Sequence, residues 1–184
     1  MYNSEEKAIL FIMNAFKGKK EKISDIEKVA LSLLVGLSIK KITNDKDTIL
    51  AAYLHNIINY SNYGKEEIEE KFNKEVAHIV AEISEDWSLT RWVDRKKDFL
   101  DRLKANTDPR CTHIIIAEKT QELLSFRNNY YKKKDKIWKE LKISKSEATW
   151  FYRSIYSICA NKNINTDLLY RYKQEILYYF GDVE

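Results

Sequence analysis

The chain has 184 residues with only 4 glycines, 1 proline and 2 cysteines, which excludes collagen-like, disulfide-built and low-complexity classes. So few turn residues leave no punctuation for a many-stranded sandwich or barrel, whereas 44% hydrophobic and 33% charged residues suit one core wrapped by about eight to ten amphipathic helices. The net charge of +4, from 32 Lys and Arg against 28 Asp and Glu, is a mild excess that favours small anionic ligands over duplex nucleic acid.

Ala8, Ile9, Ile12, Met13 and Phe16 recur at three- and four-residue steps, so residues 4–17 form a helix that Gly18 ends. Lys17 to Lys22 reads as a solvated loop that becomes an anion-collecting lip if it overhangs a pocket. Ser24 with Glu27 has the spacing of a capping box for a helix carrying Val29, Ala30, Leu33, Leu34 and Leu37 to about Lys40. After the polar link Asn44, Asp45 and Asp47, the apolar segment Ile49 to Tyr60 is read as one helix.

Gly64 precedes a short acidic helix over Glu66 to Phe72, and Val76, Ile79, Val80 and Ile83 give the stripe of the next. An aromatic and acidic connection, Glu85 to Trp92, leads to a helix over Arg95 to Lys104 with Phe99, Leu100 and Leu103 inward. Asp108 and Pro109 open a helix whose buried centre is Ile114 to Leu124, because proline in the first turn loses no hydrogen bond. The polar segment Asn128 to Lys136 is expected to break it from Ile137 to Leu141. Ser146 is the predicted cap of Trp150 to Ala160, and Asn165 to Phe180 forms the last helix.

No apolar run is long enough to span a bilayer, no basic-then-apolar leader is present, and Cys111 and Cys159 are lone thiols. These features predict one all-α domain over 1–184, cytoplasmic and without a membrane partner. There is no glycine-rich phosphate loop, Cys-x-x-Cys pair or Gly-x-Ser-x-Gly elbow, which removes kinases, zinc ribbons and α/β-hydrolases. His78 and His113 read as packed or surface residues, and His55 as the histidine with chemistry around it.

Ala51-Ala52-Tyr53-Leu54-His55-Asn56-Ile57-Ile58, followed by the Lys65 to Ala77 segment, resembles the HD-domain hydrolases. The similarity is to their alarmone-hydrolase branch, the RelA/SpoT-type and small stand-alone enzymes. It continues through Ile83-Ser84-Glu85-Asp86, Trp92-Val93-Asp94-Arg95-Lys96, Ile116-Ala117-Glu118-Lys119 and Trp150-Phe151-Tyr152-Arg153, in order along nearly the whole chain. The resemblance implies a single HD-domain helical bundle. It also implies a site built from a first histidine, a His-Asp pair and a distant aspartate around one divalent ion, usually manganese, that activates water against a pyrophosphate ester.

The positions aligned with those ligands are Asp25, His55, Asn56 and Glu118, and a Glu-Asp pair that serves the attacking water aligns with Asn59 and Tyr60. Only His55 keeps the family's residue, and neither Asn59 nor Tyr60 is a carboxylate base. The resemblance therefore implies a catalytically degenerate protein that senses or sequesters a phosphorylated nucleotide-type signal, with no cofactor or a weakly held Mn or Mg ion at Asp25, His55, Asn56 and Glu118. The expected ligand contacts are Lys19, Lys20, Lys22, Asn59, Tyr60, Arg95, Lys96 and Glu122, with Tyr60, Trp87 and Trp92 available to stack a base. A metal-dependent nucleotide phosphohydrolase with an altered site is the alternative, and a partner-binding relic using Asn128 to Lys142 is the third class. Homo-oligomerisation stays open. If Asp25, His55 and Glu118 meet without a metal, the imidazole is expected to be favoured as the cation.

Overall fold

The computed structural model describes residues 2–182. Their regular structure is helical: α1 (Ser4–Ala15), α2 (Lys28–Lys40), α3 (Lys46–Leu54), α4 (Ile57–Tyr60), α5 (Lys65–Lys71), α6 (Lys74–Ile83), α7 (Trp92–Ala105), α8 (Pro109–Lys133), α9 (Lys136–Glu140), α10 (Lys145–Ala160) and α11 (Thr166–Phe180). None of these helices is long and apolar enough to cross a membrane.

α3 is the innermost helix of the N-terminal half, buried from Thr48 to Leu54. α2 packs on it so closely that a Cβ at Gly36 would lie 2.1 Å from the Tyr53 ring, so only glycine fits there. α1 closes over the pair through Ala8, Phe11, Ile12 and Phe16. Met13, Leu34 and Leu37, expected on the inward stripes, are exposed. The inward face of α2 is instead Leu31, Val35 and Ile39, one residue out of register with the expected stripe.

α8 is the long central helix, started by the Asp108 side chain on the Arg110 N–H with Pro109 in the first turn. It runs without interruption to Lys133, past the expected break at Asn128, because Phe126 is buried and Tyr130 meets Tyr179 edge to face at 4.6 Å, which holds its last turns against α11. One hydrophobic core links all these layers, from Ala8 to Tyr179. Beside α8, α7 and α10 pair through Trp92, Phe99 and Phe151, with ring centroids 5.7–6.1 Å apart.

Candidate functional site

The apolar segment Ile49 to Tyr60 is two helices rather than one. α3 stops at Leu54, His55 keeps helical angles, and Asn56 at φ −99°, ψ 0° turns the chain before α4. The turn drives His55 inward, 3% exposed, with Nδ1 2.8 Å from the Ala52 carbonyl. A carbonyl only accepts, so Nδ1 carries the proton. Burial pushes the imidazole below its ordinary pKa against the pull of Glu118 and the Ala52 carbonyl, and Lys119 and Lys28 push the same way as burial. The geometry places the proton on Nδ1, and burial disfavours a second one on Nε2.

Three other elements close on it. α2 presents Lys28, Leu31 and Val35 along one stripe, α8 presents Glu118, Gln121 and Glu122 on adjacent turns, and the loop before α2 adds Glu21; with His55, Asn56 and Tyr60 they enclose a cavity of about 50 Å3. The Lys28 ammonium lies 3.6 Å from the Tyr60 ring centroid. Burial lowers the Lys28 pKa, opposed by Glu21, Glu122 and Glu118.

Beneath the cavity lies a buried charge network. The Lys119 Nζ is 2.9 Å from Glu118 Oε1 and 3.4 Å from Glu122 Oε2. Burial opposes the Lys119 charge, but Glu118, Glu122 and Glu85 outweigh it and hold the lysine well above its usual range. Glu85 accepts from Arg95 Nε at 3.0 Å and from Lys96. Burial would raise its carboxyl, yet the charges of Lys96 and Lys119 and these hydrogen bonds bring it down to about 2. Glu122 Oε2 is buried without a hydrogen bond.

The cavity opens into a cleft of about 350 Å3. Lys20, Lys22, Lys28, Arg95 and Lys96 outnumber the carboxylates of Glu21, Glu85 and Glu122 along it, and Tyr60, Trp87, Trp92, Phe151 and Tyr152 give it aromatic walls. Tyr60 and Trp87 meet edge to face at 5.8 Å, and the Arg95 guanidinium covers the Trp87 ring at 4.7 Å.

The predicted residues divide accordingly. His55, Asn56, Glu118, Glu122 and Tyr60 share the cavity, and Lys20, Lys22, Arg95 and Lys96 line the cleft. Asp25 does not join them. The chain from Lys20 to Glu27 folds back on itself through a bridge between those two residues, which sends Asp25 outward at φ 59°, its side chain 81% exposed and paired with Lys20 at 3.1 Å. Glu21 occupies the inner position, its carboxylate accepting from the Ile23 and Ser24 N–H groups at 2.7 Å. Ser24 therefore belongs to this turn rather than capping α2, whose N-cap Glu27 makes no side-chain bond.

Lys19 is also diverted, donating to the Tyr60 carbonyl at 2.6 Å. Asn59 faces the small space behind the site, with both ends of its amide on the Glu85 backbone at 2.8 and 3.0 Å. Glu21, Lys28, Glu85 and Lys119 went unselected as site residues. The i, i+3, i+4 spacing of Glu118, Gln121 and Glu122 carried a signal for that face of α8, but nothing local marks Glu21 or Lys28.

The HD domain family matches residues 8–143, about three quarters of the chain, with His55, Asn56 and Glu118 inside the match. This chain belongs to the HD domain family. Among solved structures, a metazoan ortholog of SpoT that hydrolyzes ppGpp superposes with a TM-score of 0.77 at 15% identity, covering 99% of this chain and 98% of its own. The lmo0812 protein of Listeria monocytogenes EGD-e superposes with a TM-score of 0.72 at 18% identity, covering 83% of this chain and 94% of its own. No curated protein sequence matches the chain. At these identities the two structures show the fold.

The same cavity brings His55, Asn56 and Glu118 together with Glu21 and Glu122, but Glu118 Oε1 is engaged by Lys119, Glu21 accepts from its own turn, and the Lys28 ammonium enters the same space, so the donor set differs from the ion site that the resemblance implies. Among the described residues no three His, Cys, Asp or Glu side chains gather closely enough to hold a metal.

Proposed function

We propose that this HD domain protein captures a phosphorylated nucleotide in the cleft between α2, α7 and α10 and does not hydrolyse it in the family manner. The observation that carries the reading is the pairing of an aromatic cleft of about 350 Å3 with an excess of cations, within the size range of small-molecule sites, with a centre where Asn56, Asn59 and Tyr60 stand at positions that the resemblance aligns with carboxylates. Lys20, Lys22 and Lys28 are placed for phosphate oxygens, and Tyr60 and Trp87 for a base. The fold likeness to a protein that hydrolyzes ppGpp makes a guanosine polyphosphate the first ligand to try.

The positions that the resemblance aligns with the water-directing carboxylates supply no base. Asn59 is committed at both amide ends to Glu85. Burial, with Glu85 and Glu122 nearby, raises the Tyr60 phenol far above neutrality, so it offers no base to an attacking water. A general base contributes about 10²–10⁴-fold where it exists. Titration calorimetry of the full chain with ppGpp and GDP should give saturable binding that Lys28→Ala weakens, and incubation with manganese should release no pyrophosphate. Turnover near one per second or faster would overturn the reading in favour of an altered phosphohydrolase, for which the hydrogen-bond-free Glu122 Oε2 at the cavity is the supporting feature.

A further inference from the structure

α7 and α10 have two flanks, and the cleft occupies one. Lys96 and Phe151 face it; their chain neighbours Lys97 and Trp150 face away, into a groove of about 770 Å3 between the same two helices. Lys97, Lys104, Arg153 and Lys162 bring four cations to that groove, against the single carboxylate of Asp101. Lys97 and Lys104 enter no ion pair among the described residues.

Two of the four charges are anchored. The Lys162 Nζ donates to the backbone carbonyls of Lys104 and Asn106, at the end of the groove where Lys104 also lies. Arg153 is anchored through Nη2 on the Phe180 carbonyl at 2.8 Å and the Asp182 carbonyl at 2.6 Å, leaving a buried Nε with no partner. At the other end Trp150 stands edge to face on Trp92 at 6.4 Å and stays 36% exposed. From Lys97, beside Trp150, to Lys104 the helix rises about 10 Å, the reach of a nucleoside with its phosphates.

We propose that this groove is a second ligand site, separate from the cleft, that takes an organic phosphate bearing a planar ring and of nucleoside-diphosphate size. Lys104 and Lys162 hold the phosphates, Arg153 and Lys97 the middle of the ligand, and Trp150 the ring. The volume of this open groove suits a small molecule, and the charge disfavours a cationic one. The site does not depend on the cleft being a nucleotide site, because no residue lines both.

The test is an NMR titration of the isotope-labelled full chain with ADP, read at the Trp150 indole N–H and the amides of Ser154 and Ser157. Saturable shifts there are expected, and Lys104→Glu, a change on the exposed rim, should weaken them about tenfold or more while leaving shifts at Trp87 in the cleft unchanged. The proposal falls if Trp150 does not respond, if its response is insensitive to Lys104→Glu and Lys97→Glu alike, or if pyrophosphate binds as tightly as ADP. Displacement of ADP from Trp150 by an acidic peptide that binds more tightly would assign the groove to a protein partner instead.

Discussion

Asn59 and Asp25 show how far a residue's position in the chain stands from its role in space. The resemblance aligns Asn59 with a water-directing carboxylate, but an amide can both donate and accept, and here it does both to the backbone of Glu85. It pins α4 to the connection before α7. Asn59→Ala should cost about 1–3 kcal/mol by urea unfolding, since a backbone N–H and carbonyl lose their partner together. Asp25→Asn should change stability by about 1 kcal/mol or less, because an exposed ion pair contributes little, and should leave nucleotide binding intact. Glu21→Gln should impair both, since its carboxylate ties the turn that faces the cavity. If Asp25→Asn abolishes binding and Glu21→Gln does not, the aligned position rather than the spatial one is functional.

At the scale of elements, periodicity in the sequence located nearly every helix, and what it missed were ends and breaks. The division at His55 and Asn56 has no Gly or Pro to announce it, and the turn that buries the imidazole belongs to the tertiary packing around it. Two serines near the start of α10 lie two residues apart, and the expected cap, Ser146, is not the one used. Ser144 accepts from the Glu147 N–H at 3.1 Å while the Glu147 carboxylate accepts from the Ser144 N–H at 2.7 Å, a reciprocal capping box. The spacing Ser144 to Glu147 carried that signal in the sequence. Ser144→Ala should therefore lower stability by about 1 kcal/mol, and Ser146→Ala by roughly 0.5 kcal/mol or less, as for a surface position. Gly36→Ala should be the severe change in this half of the molecule, because the Tyr53 ring occupies the space of the new methyl. A fall in melting temperature for Gly36→Ala no larger than for Ser144→Ala would contradict the close α2–α3 approach.

For the whole molecule, the two histidines built into helix contacts make stability depend on pH with a definite sign. His55 is buried and neutral, its pKa depressed by burial. His113 accepts the Asn165 N–H on Nε2 at 3.0 Å, joining α8 to the start of α11, and burial depresses its pKa despite Asp108. A neutral ring is required at His113, since a protonated Nε2 cannot accept from Asn165, and burial disfavours the cation at His55. Each folded pKa lies below the unfolded value of about 6.5, so the unfolded chain binds more protons in that interval and stability rises with pH through it. The contribution is present above the unfolded value and is lost as pH falls below it toward the folded pKa. Glu85, brought down to about 2, adds stability that is lost between the ordinary carboxylate range and that value, so acid acts in two stages. The expectation of a His55 held as the cation applied if Asp25, His55 and Glu118 met; Asp25 faces solvent instead, so that cluster does not form, and burial, with Lys119 and Lys28, lowers the His55 pKa. Urea unfolding at pH 7.5 and 5.5 should show the protein less stable at the lower pH, with His113→Gln reducing the difference, and an NMR titration should place the His55 transition below 6.5. A His55 that titrates above that value, together with greater stability at pH 5.5, would mean that a carboxylate has replaced the two lysines as its neighbour.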